Sequence, residues 1–389
     1  MRNASDIHVY ERIAENVQSF LSGHSTSAIS EYPPLATTLF FWIGYNPFGA
    51  NFPITWIIAL ASSVAATALY CRYAVSCRDT VLFLLAILIS FPLLGLEIVF
   101  ARFDVYVFLL CFLSWRAHAA NRHFEAGCFL ALAAALKVVP ALAIPMLILS
   151  TPRQKRSHAW VGLIAAGIVA VLLCWAVLGM TYTLNNVLFF IQYHNERGML
   201  IESMWSGIAM LFTNIAGQIS ATGFDHLSVT NADMPSVMSV VAKGFLVAFG
   251  LLMTLWMFFR KQSEREYGPA LIVMLLAFLG LSPVLSPQYF VWVVPLMMFW
   301  SLDRLWNRRN IGAALTIGAF AASMAFATQW IFPMHYFDMM EQKNLLTTII
   351  LNLRNFSVFA VMPLLLGRKV QFQNTYELQP LSTYFAIGH

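Results

Sequence analysis

Long runs of apolar residues fill most of this chain, and short polar segments separate them. Nine runs are long enough, or nearly long enough, to cross a bilayer, since a transmembrane helix needs about 20 mainly apolar residues and buried helices are shorter. They cover about residues 53–71, 79–98, 103–118, 158–180, 234–259, 268–285, 287–302, 310–331 and 346–367. The pattern predicts an all-α, polytopic membrane bundle.

One further apolar run, residues 124–150, is too long for a single simple span and is interrupted by Lys137 and Pro140. An ammonium group in the middle of a bilayer costs several kcal/mol. We therefore expect two short helices that meet at Lys137, which brings the total to about eleven transmembrane helices.

The composition agrees with this prediction and excludes a soluble protein. Of the 389 residues, 59% are hydrophobic and only 11% are charged, whereas soluble domains carry roughly a quarter of charged residues. The net charge of +5 does not indicate a nucleic-acid partner, because the basic residues lie in short clusters between apolar runs. We expect membrane lipids around the protein and no nucleic acid.

The basic clusters alternate along the chain with loops that are poorer in Lys and Arg. Clusters of this kind favour the cytoplasmic side of a membrane. They lie at Arg72 and Arg78, Arg116 and Arg122, 153–156, 260–265, 304–309 and 368–369. Placing all of them in the cytoplasm gives a consistent topology and puts almost every acid, histidine and proline of plausible chemical use on the external side.

We interpret residues 1–389 as a single transmembrane domain. Within it, residues 1–52 form an external loop whose apolar part, 32–48, is an interfacial or re-entrant helix with prolines at its start. Residues 181–233 form a second external loop region.

Four segments, in the same order along the chain, resemble glycosyltransferase family 87 of the GT-C superfamily. These are polyprenyl-phosphate-mannose-dependent mannosyltransferases. The segments are "SDIHVYERIAENVQSFLSG" with "EYPPLA", "LALAAALKVVPALAIPML", "YHNERGMLIES" and "LSPQYFVWVVPL". The resemblance covers nearly the whole chain and implies a membrane glycosyltransferase of the cell envelope.

In this superfamily an acid in the first external loop is taken as the general base of an inverting transfer, and Asp6 is the matching residue here. A carboxylate within hydrogen-bond reach takes the proton of the acceptor hydroxyl as that hydroxyl attacks the anomeric carbon. The alternative is that Asp6 is a surface acid or the N-cap of a helix over residues 7–20.

The leaving phosphate needs cations at the membrane boundary. Lys137, Arg197 and His194 are candidates for this phosphate site. Each also has a structural alternative: Lys137 extends to the lipid headgroups, Arg197 pairs with a nearby glutamate, and His194 makes a structural hydrogen bond.

Other polar residues of the same external side are candidates for binding substrate: Tyr10, Tyr32, Arg102, Asp104, Glu202, Gln288 and Tyr289. At Arg102 and Asp104 the chain departs from the family, whose members more often carry a Gly-Gln-x-Asn-like element. These two residues therefore either contact the donor or brace each other. No cluster has the spacing of metal ligands, so we expect neither a metal nor another cofactor.

The expected reaction is transfer of a hexose, mannose by the resemblance, from a polyprenyl-phosphate donor to a lipid or glycan acceptor. We expect it at the external face of the plasma (inner) membrane. The alternative class is a transporter or lipid flippase, which requires internal repeats and ionisable groups near the membrane midplane. Family members place one transmembrane helix before the first external loop, so we also expect that a first helix is missing from this chain.

Overall fold

The fold is described from a computed structural model of the chain. It describes residues 6–24, 30–45, 51–196, 199–212, 219–221, 227–229, 234–261, 266–336 and 344–367. These residues form an all-α bundle, to which one short antiparallel ribbon, β1 (Ile219–Ala221) with β2 (Leu227–Val229), is added.

The α-helices of this part of the chain are, in order, α1 (Asp6–Leu21), α2 (Pro34–Gly44), α3 (Phe52–Tyr70), α4 (Cys77–Leu94), α5 (Leu96–Phe100), α6 (Asp104–Ala119), α7 (His123–Leu136), α8 (Ile144–Ser150), α9 (Arg156–Leu178), α10 (Met180–Glu196), α11 (Met204–Phe212), α12 (Met234–Phe259), α13 (Tyr267–Leu281), α14 (Phe290–Trp306), α15 (Ile311–Gln329) and α16 (Leu345–Leu366). Short 3₁₀ segments precede α8 (Val139–Ala143) and α14 (Pro287–Tyr289).

The helices confirm the expected membrane protein. Six segments of the described residues are long and apolar enough to cross a membrane by length and composition, and four shorter apolar helices accompany them. Each of the nine predicted apolar runs overlaps a helix over most of its length, and the run 79–98 overlaps both α4 and α5. The 124–150 run breaks at Lys137, which takes an extended conformation directly after α7. The polar residues 181–233 contain α10 and α11.

Three helices form the centre of the bundle, and others face lipid. α6, α13 and α14 are buried on nearly all sides, as expected of helices that are apolar all round. In contrast, α9 and α12 expose large apolar side chains such as Val169 and Leu252, which are 60% and 65% exposed. Apolar surface on this scale is the surface that lipid covers.

α7 and α9 approach each other closely because two glycines lie at their crossing. A Cβ atom on Gly127 meets the backbone of α9, and one on Gly162 meets the backbone of α7. Small residues at a crossing let two membrane helices pack backbone to backbone. This contact fixes the helix that ends at Lys137.

Three arginines, on α4, α6 and α14, pair with acids of neighbouring segments. Nitrogen–oxygen distances of 2.9 Å join Arg78 of α4 to Asp303 of α14, Arg116 of α6 to Asp79 of α4, and Arg304 of α14 to Glu266 before α13. These pairs tie α4, α6, α13 and α14 together at the end of the bundle to which the sequence assigned the basic clusters.

Candidate active site

The first proposed site residue, Asp6, begins α1 and forms an ion pair with Arg102. Arg102 lies in the turn between α5 and α6. The hydroxyl group of Tyr10, one helical turn after Asp6, donates to the same carboxylate oxygen at 3.5 Å. The position of Asp6 in the first turn agrees with the helix-start alternative, and its side chain also joins the turn before α6. Burial lowers the pKa of Arg102 to about 10, so the guanidinium stays charged at neutral pH.

A cluster of aromatic side chains fixes the start of α1. Tyr10 is fully buried and stacks on Phe40 with ring centroids 4.3 Å apart. Its ring also contacts Trp56, Tyr32 and Phe103, at 5.1, 5.6 and 5.9 Å. These rings come from α2 and the segment that precedes it, from α3, and from the turn before α6. These contacts bury the Tyr10 ring completely and hold the first turns of α1 against the bundle.

Lys137 forms the second ion pair of the site, with Asp104. Its Nζ atom lies 2.7 Å from Asp104 Oδ1, and the indole N–H of Trp292 donates to the same oxygen at 2.8 Å. Asp104 is fully buried, and its other oxygen, Oδ2, accepts no hydrogen bond from the described residues. A buried carboxylate requires a partner, so Lys137 and Trp292 hold Asp104 in one orientation.

Three aromatic rings surround the ammonium group of Lys137. Nζ lies 4.4 Å from the ring centroid of Tyr289, 4.8 Å from that of Phe103 and 4.9 Å from that of Trp292. A cation within about 6 Å of a ring face is attracted by the ring's quadrupole. The break after α7 therefore places the ammonium group of Lys137 inside a cage of three aromatic rings. The Lys137 side chain is 16% exposed.

A third pair joins Glu202 to Arg354 of α16. Arg354 Nη1 lies 3.5 Å from Glu202 Oε2, and the backbone oxygen of Glu202 accepts hydrogen bonds from Arg354 and Asn355. Burial raises the pKa of Glu202 to about 7, and the charges of Arg354 and Arg102 oppose this shift. Glu202 thus lies close enough to Arg102 for their charges to interact.

The structure brings most of the predicted site residues together. Ion pairs, ring contacts and electrostatic interactions connect Asp6, Tyr10, Tyr32, Arg102, Asp104, Lys137, Glu202 and Tyr289. Arg102 and Asp104, which were expected to contact the donor or to brace each other, instead pair with Asp6 and Lys137, respectively.

Three other candidates lie differently. Gln288 is half-buried beside Tyr289 and accepts a hydrogen bond from the Ser286 hydroxyl group at 2.5 Å. The ring of His194, in the last turn of α10, packs on Phe190 with centroids 4.4 Å apart. Arg197 lies outside the described residues.

The sequence reasoning missed Trp292, Phe103 and Arg354. Arg354 had a clear signal, because it is an ionisable residue in the middle of an apolar span, and such residues are functional or paired by default. The sequence signal for Trp292 was weaker. Trp292 follows Tyr289 by three residues, a spacing that puts both rings on one helical face. The rings stack with centroids 4.7 Å apart.

Together these contacts place three carboxylates and three cations within one network. The reachable members are Asp6, Arg102 and Lys137, whose side chains are 19%, 15% and 16% exposed. A reachable carboxylate beside a cation can accept a proton while cations of the same network hold an anion. Among the described residues, no group of three or more His, Cys, Asp or Glu side chains is placed to hold a metal ion.

Comparison with known proteins gives the family of the chain. No individual curated protein matches the chain significantly. The family profile described as glycosyltransferase family 87 matches residues 31–287. That range contains Arg102, Asp104, Lys137 and Glu202, while Asp6 lies before it and Arg354 after it. Because the match extends over well over half of the chain, the protein belongs to glycosyltransferase family 87 and is a membrane glycosyltransferase.

Proposed function

We propose that this glycosyltransferase transfers a hexose, mannose by the family resemblance, from a polyprenyl-phosphate donor to a hydroxyl group of a lipid or glycan acceptor. The transfer takes place at the external face of the plasma (inner) membrane and inverts the anomeric carbon. One observation carries the proposal: a reachable carboxylate, Asp6, lies beside Arg102 in a network that also contains the caged cation Lys137.

In the proposed reaction Asp6 is the general base. The acceptor oxygen bonds to the anomeric carbon while the bond from that carbon to the phosphate oxygen breaks, and the acceptor proton passes to Asp6. The ion pair with Arg102 holds the Asp6 carboxylate beside the turn that precedes α6. The aromatic contacts of Tyr10 hold α1, and therefore Asp6, in place.

The departing polyprenyl phosphate is an anion, and Lys137 is its fixed counter-charge. Preorganised charges stabilise a transition state best when they do not have to reorganise during the reaction. Asp104, Trp292 and the ring cage restrict Lys137 in this way. Because the cage consists of apolar ring faces, water screens the ammonium group less than it does at an open surface.

The external location rests on charge. The site lies among segments that are poor in basic clusters, whereas the paired arginines Arg78, Arg116 and Arg304 lie among the clusters that favour the cytoplasm. Polyprenyl-phosphate donors keep their lipid tail in the bilayer, so a site at a membrane boundary is where their phosphate lies.

The test is a transfer assay with purified protein in lipid nanodiscs and a small panel of polyprenyl-phosphate sugars and lipid acceptors. The Asp6→Asn variant should lose transfer by about 100-fold or more, because a general base contributes roughly 10²–10⁴ in rate. The matched control is Glu11→Gln, which removes an acid from the same helix outside the site network and should keep the wild-type rate.

Two results would overturn the proposal. Transfer by Asp6→Asn at the wild-type rate rules out Asp6 as the base. Transfer from a nucleotide sugar, with none from any polyprenyl-phosphate sugar, rules out the donor class. Stereochemistry of the product, measured by NMR of the new glycosidic bond, tests the inversion separately.

A further inference from the structure

The three ion pairs of the site differ in their freedom to change partners. Asp104 is fully buried, and Glu202 and Arg354 are nearly so. Breaking a buried pair leaves an uncompensated charge in a poorly solvated environment and is strongly unfavourable. Asp6 and Arg102 are the pair in which both side chains keep exposed surface, 19% and 15%. This pair is therefore the one of the three in which a substrate can contact both the acid and the cation.

The proposed transfer changes two charges at the same moment. The donor is a phosphodiester with one negative charge, and the departing polyprenyl phosphate is a monoester that carries about −1.5 to −2 at neutral pH. The electron pair of the broken carbon–oxygen bond stays on the phosphate. The acceptor proton moves to Asp6, so Asp6 loses its negative charge as the phosphate gains one.

We propose that Arg102 couples these two events by exchanging partners: it holds the Asp6 carboxylate before transfer and the leaving phosphate after it. This inference rests on the proposed function. It gives Arg102 a role in the transfer, at a position where family members more often carry a Gly-Gln-x-Asn-like element. Neutralising Asp6 releases Arg102 when the phosphate needs a second cation. The guanidinium group suits this exchange, because its five N–H donors serve two anions along different edges.

Lys137 does not perform this exchange. Its partner Asp104 is fully buried, shares one oxygen between Lys137 and Trp292, and lies away from the exposed surface that an acceptor reaches. Lys137 thus supplies a constant charge, whereas the charge of Arg102 becomes available only when Asp6 is protonated. Asp104 and Glu202, the two acids besides Asp6 whose charges act on Arg102, are paired with Lys137 and Arg354, respectively.

A binding experiment isolates the exchange from the chemistry. Asp6→Asn mimics the protonated acid, so this variant should bind polyprenyl phosphate about tenfold more tightly than wild type, the gain of one charge-assisted hydrogen bond. The probe is polyprenyl phosphate titrated into protein in nanodiscs at about pH 8, where its monoester is a dianion. The double variant Asp6→Asn/Arg102→Gln should lose this gain.

The double variant separates the exchange from a general charge effect. If the tighter binding persists without Arg102, the removal of the Asp6 charge alone explains it and the exchange is wrong. Equal binding by wild type and Asp6→Asn also overturns it. Asp6→Ser serves as a second neutral variant, so that a folding defect of Asp6→Asn does not decide the outcome. Arg12→Gln, on the exposed surface of α1, is the matched control and should bind as wild type does.

The same variants distinguish this inference from the proposed function. Loss of transfer by Asp6→Asn without tighter phosphate binding keeps Asp6 as the base and rejects the exchange. Retained transfer by Asp6→Asn rejects the base itself, whatever the binding result. In Arg102→Gln, the exchange predicts a fall in kcat of about 100-fold with a much smaller change in donor affinity, whereas a merely structural residue affects both through the folded fraction.

Discussion

Replacing Arg354 by Gln should destabilise the protein strongly, because it leaves Glu202 without its cation. Arg354 has no exposed side-chain surface and Glu202 only 5%. Removing one partner of a buried pair costs about 3–5 kcal/mol. Arg354 also donates to the backbone oxygen of Glu202, at 3.3 Å. We expect the free energy of unfolding of Arg354→Gln to be lower than that of wild type by about 3–4 kcal/mol at about pH 8.

The loss of stability in Arg354→Gln should depend on pH, and the raised pKa of Glu202 determines whether the loss grows or shrinks as the pH falls. Burial raises that pKa from its ordinary 4.5 to about 7, so the folded state binds the proton more tightly than the unfolded state. The stability due to this proton is complete below about pH 4.5 and is lost as the pH rises through about 7. At about pH 5.5 Glu202 is neutral and needs no cation, so the loss in Arg354→Gln should shrink to roughly 1–2 kcal/mol.

The assay is unfolding by SDS titration in mixed micelles, followed by the fluorescence of the 11 tryptophans. Wild type and Arg354→Gln are compared at about pH 8 and pH 5.5. The matched control is Arg354→Gln/Glu202→Gln, which removes both charges and should recover most of the loss at the higher pH. A loss of equal size at both pH values, or a double variant no more stable than Arg354→Gln, contradicts the charge explanation.

Three further predictions test the packing and the cage. Gly162→Leu should lower the free energy of unfolding by about 1–3 kcal/mol, because the new side chain meets the backbone of α7. The control Gly167→Leu has open space around it and should leave the stability unchanged. Trp292→Phe should cost about 1 kcal/mol and slow transfer, since Asp104 loses a donor. Lys137→Met should abolish transfer in the enzyme assay, and adding Asp104→Leu should restore the midpoint but not the activity.

The fold was predictable from sequence because a bilayer allows few alternatives. Every spanning segment must satisfy its backbone internally, so an apolar run of sufficient length becomes a helix. The break at Lys137 followed from the cost of a buried ammonium group and was confirmed. The helices α10 and α11 within 181–233 were not predicted, because α10 mixes polar with apolar residues and α11 has only nine residues, too few for a membrane span.

The site residues were predictable as a set, but their pairing was not. The sequence indicates which ionisable groups lie near the membrane boundary. It does not indicate that Asp104 pairs with Lys137 33 positions away or accepts from Trp292 188 positions away, because both contacts depend on helix packing. Arg102 and Asp104 are two residues apart, a spacing that allows them to brace each other, but the turn before α6 directs them to different ion-pair partners.

The ion pairs at the two ends of the bundle differ in the backbone conformation of their cations. Arg78, Arg116 and Arg304 all lie within helices, so exchanging their partners requires whole helices to move. Arg102 and Lys137 lie at non-helical residues between helices. A side chain on such a residue changes partner at a local cost, since only a few dihedral angles move. Clusters of Lys and Arg therefore predicted the layout of the chain but not its site, because the reachable site cations, Arg102 and Lys137, are single residues at helix breaks.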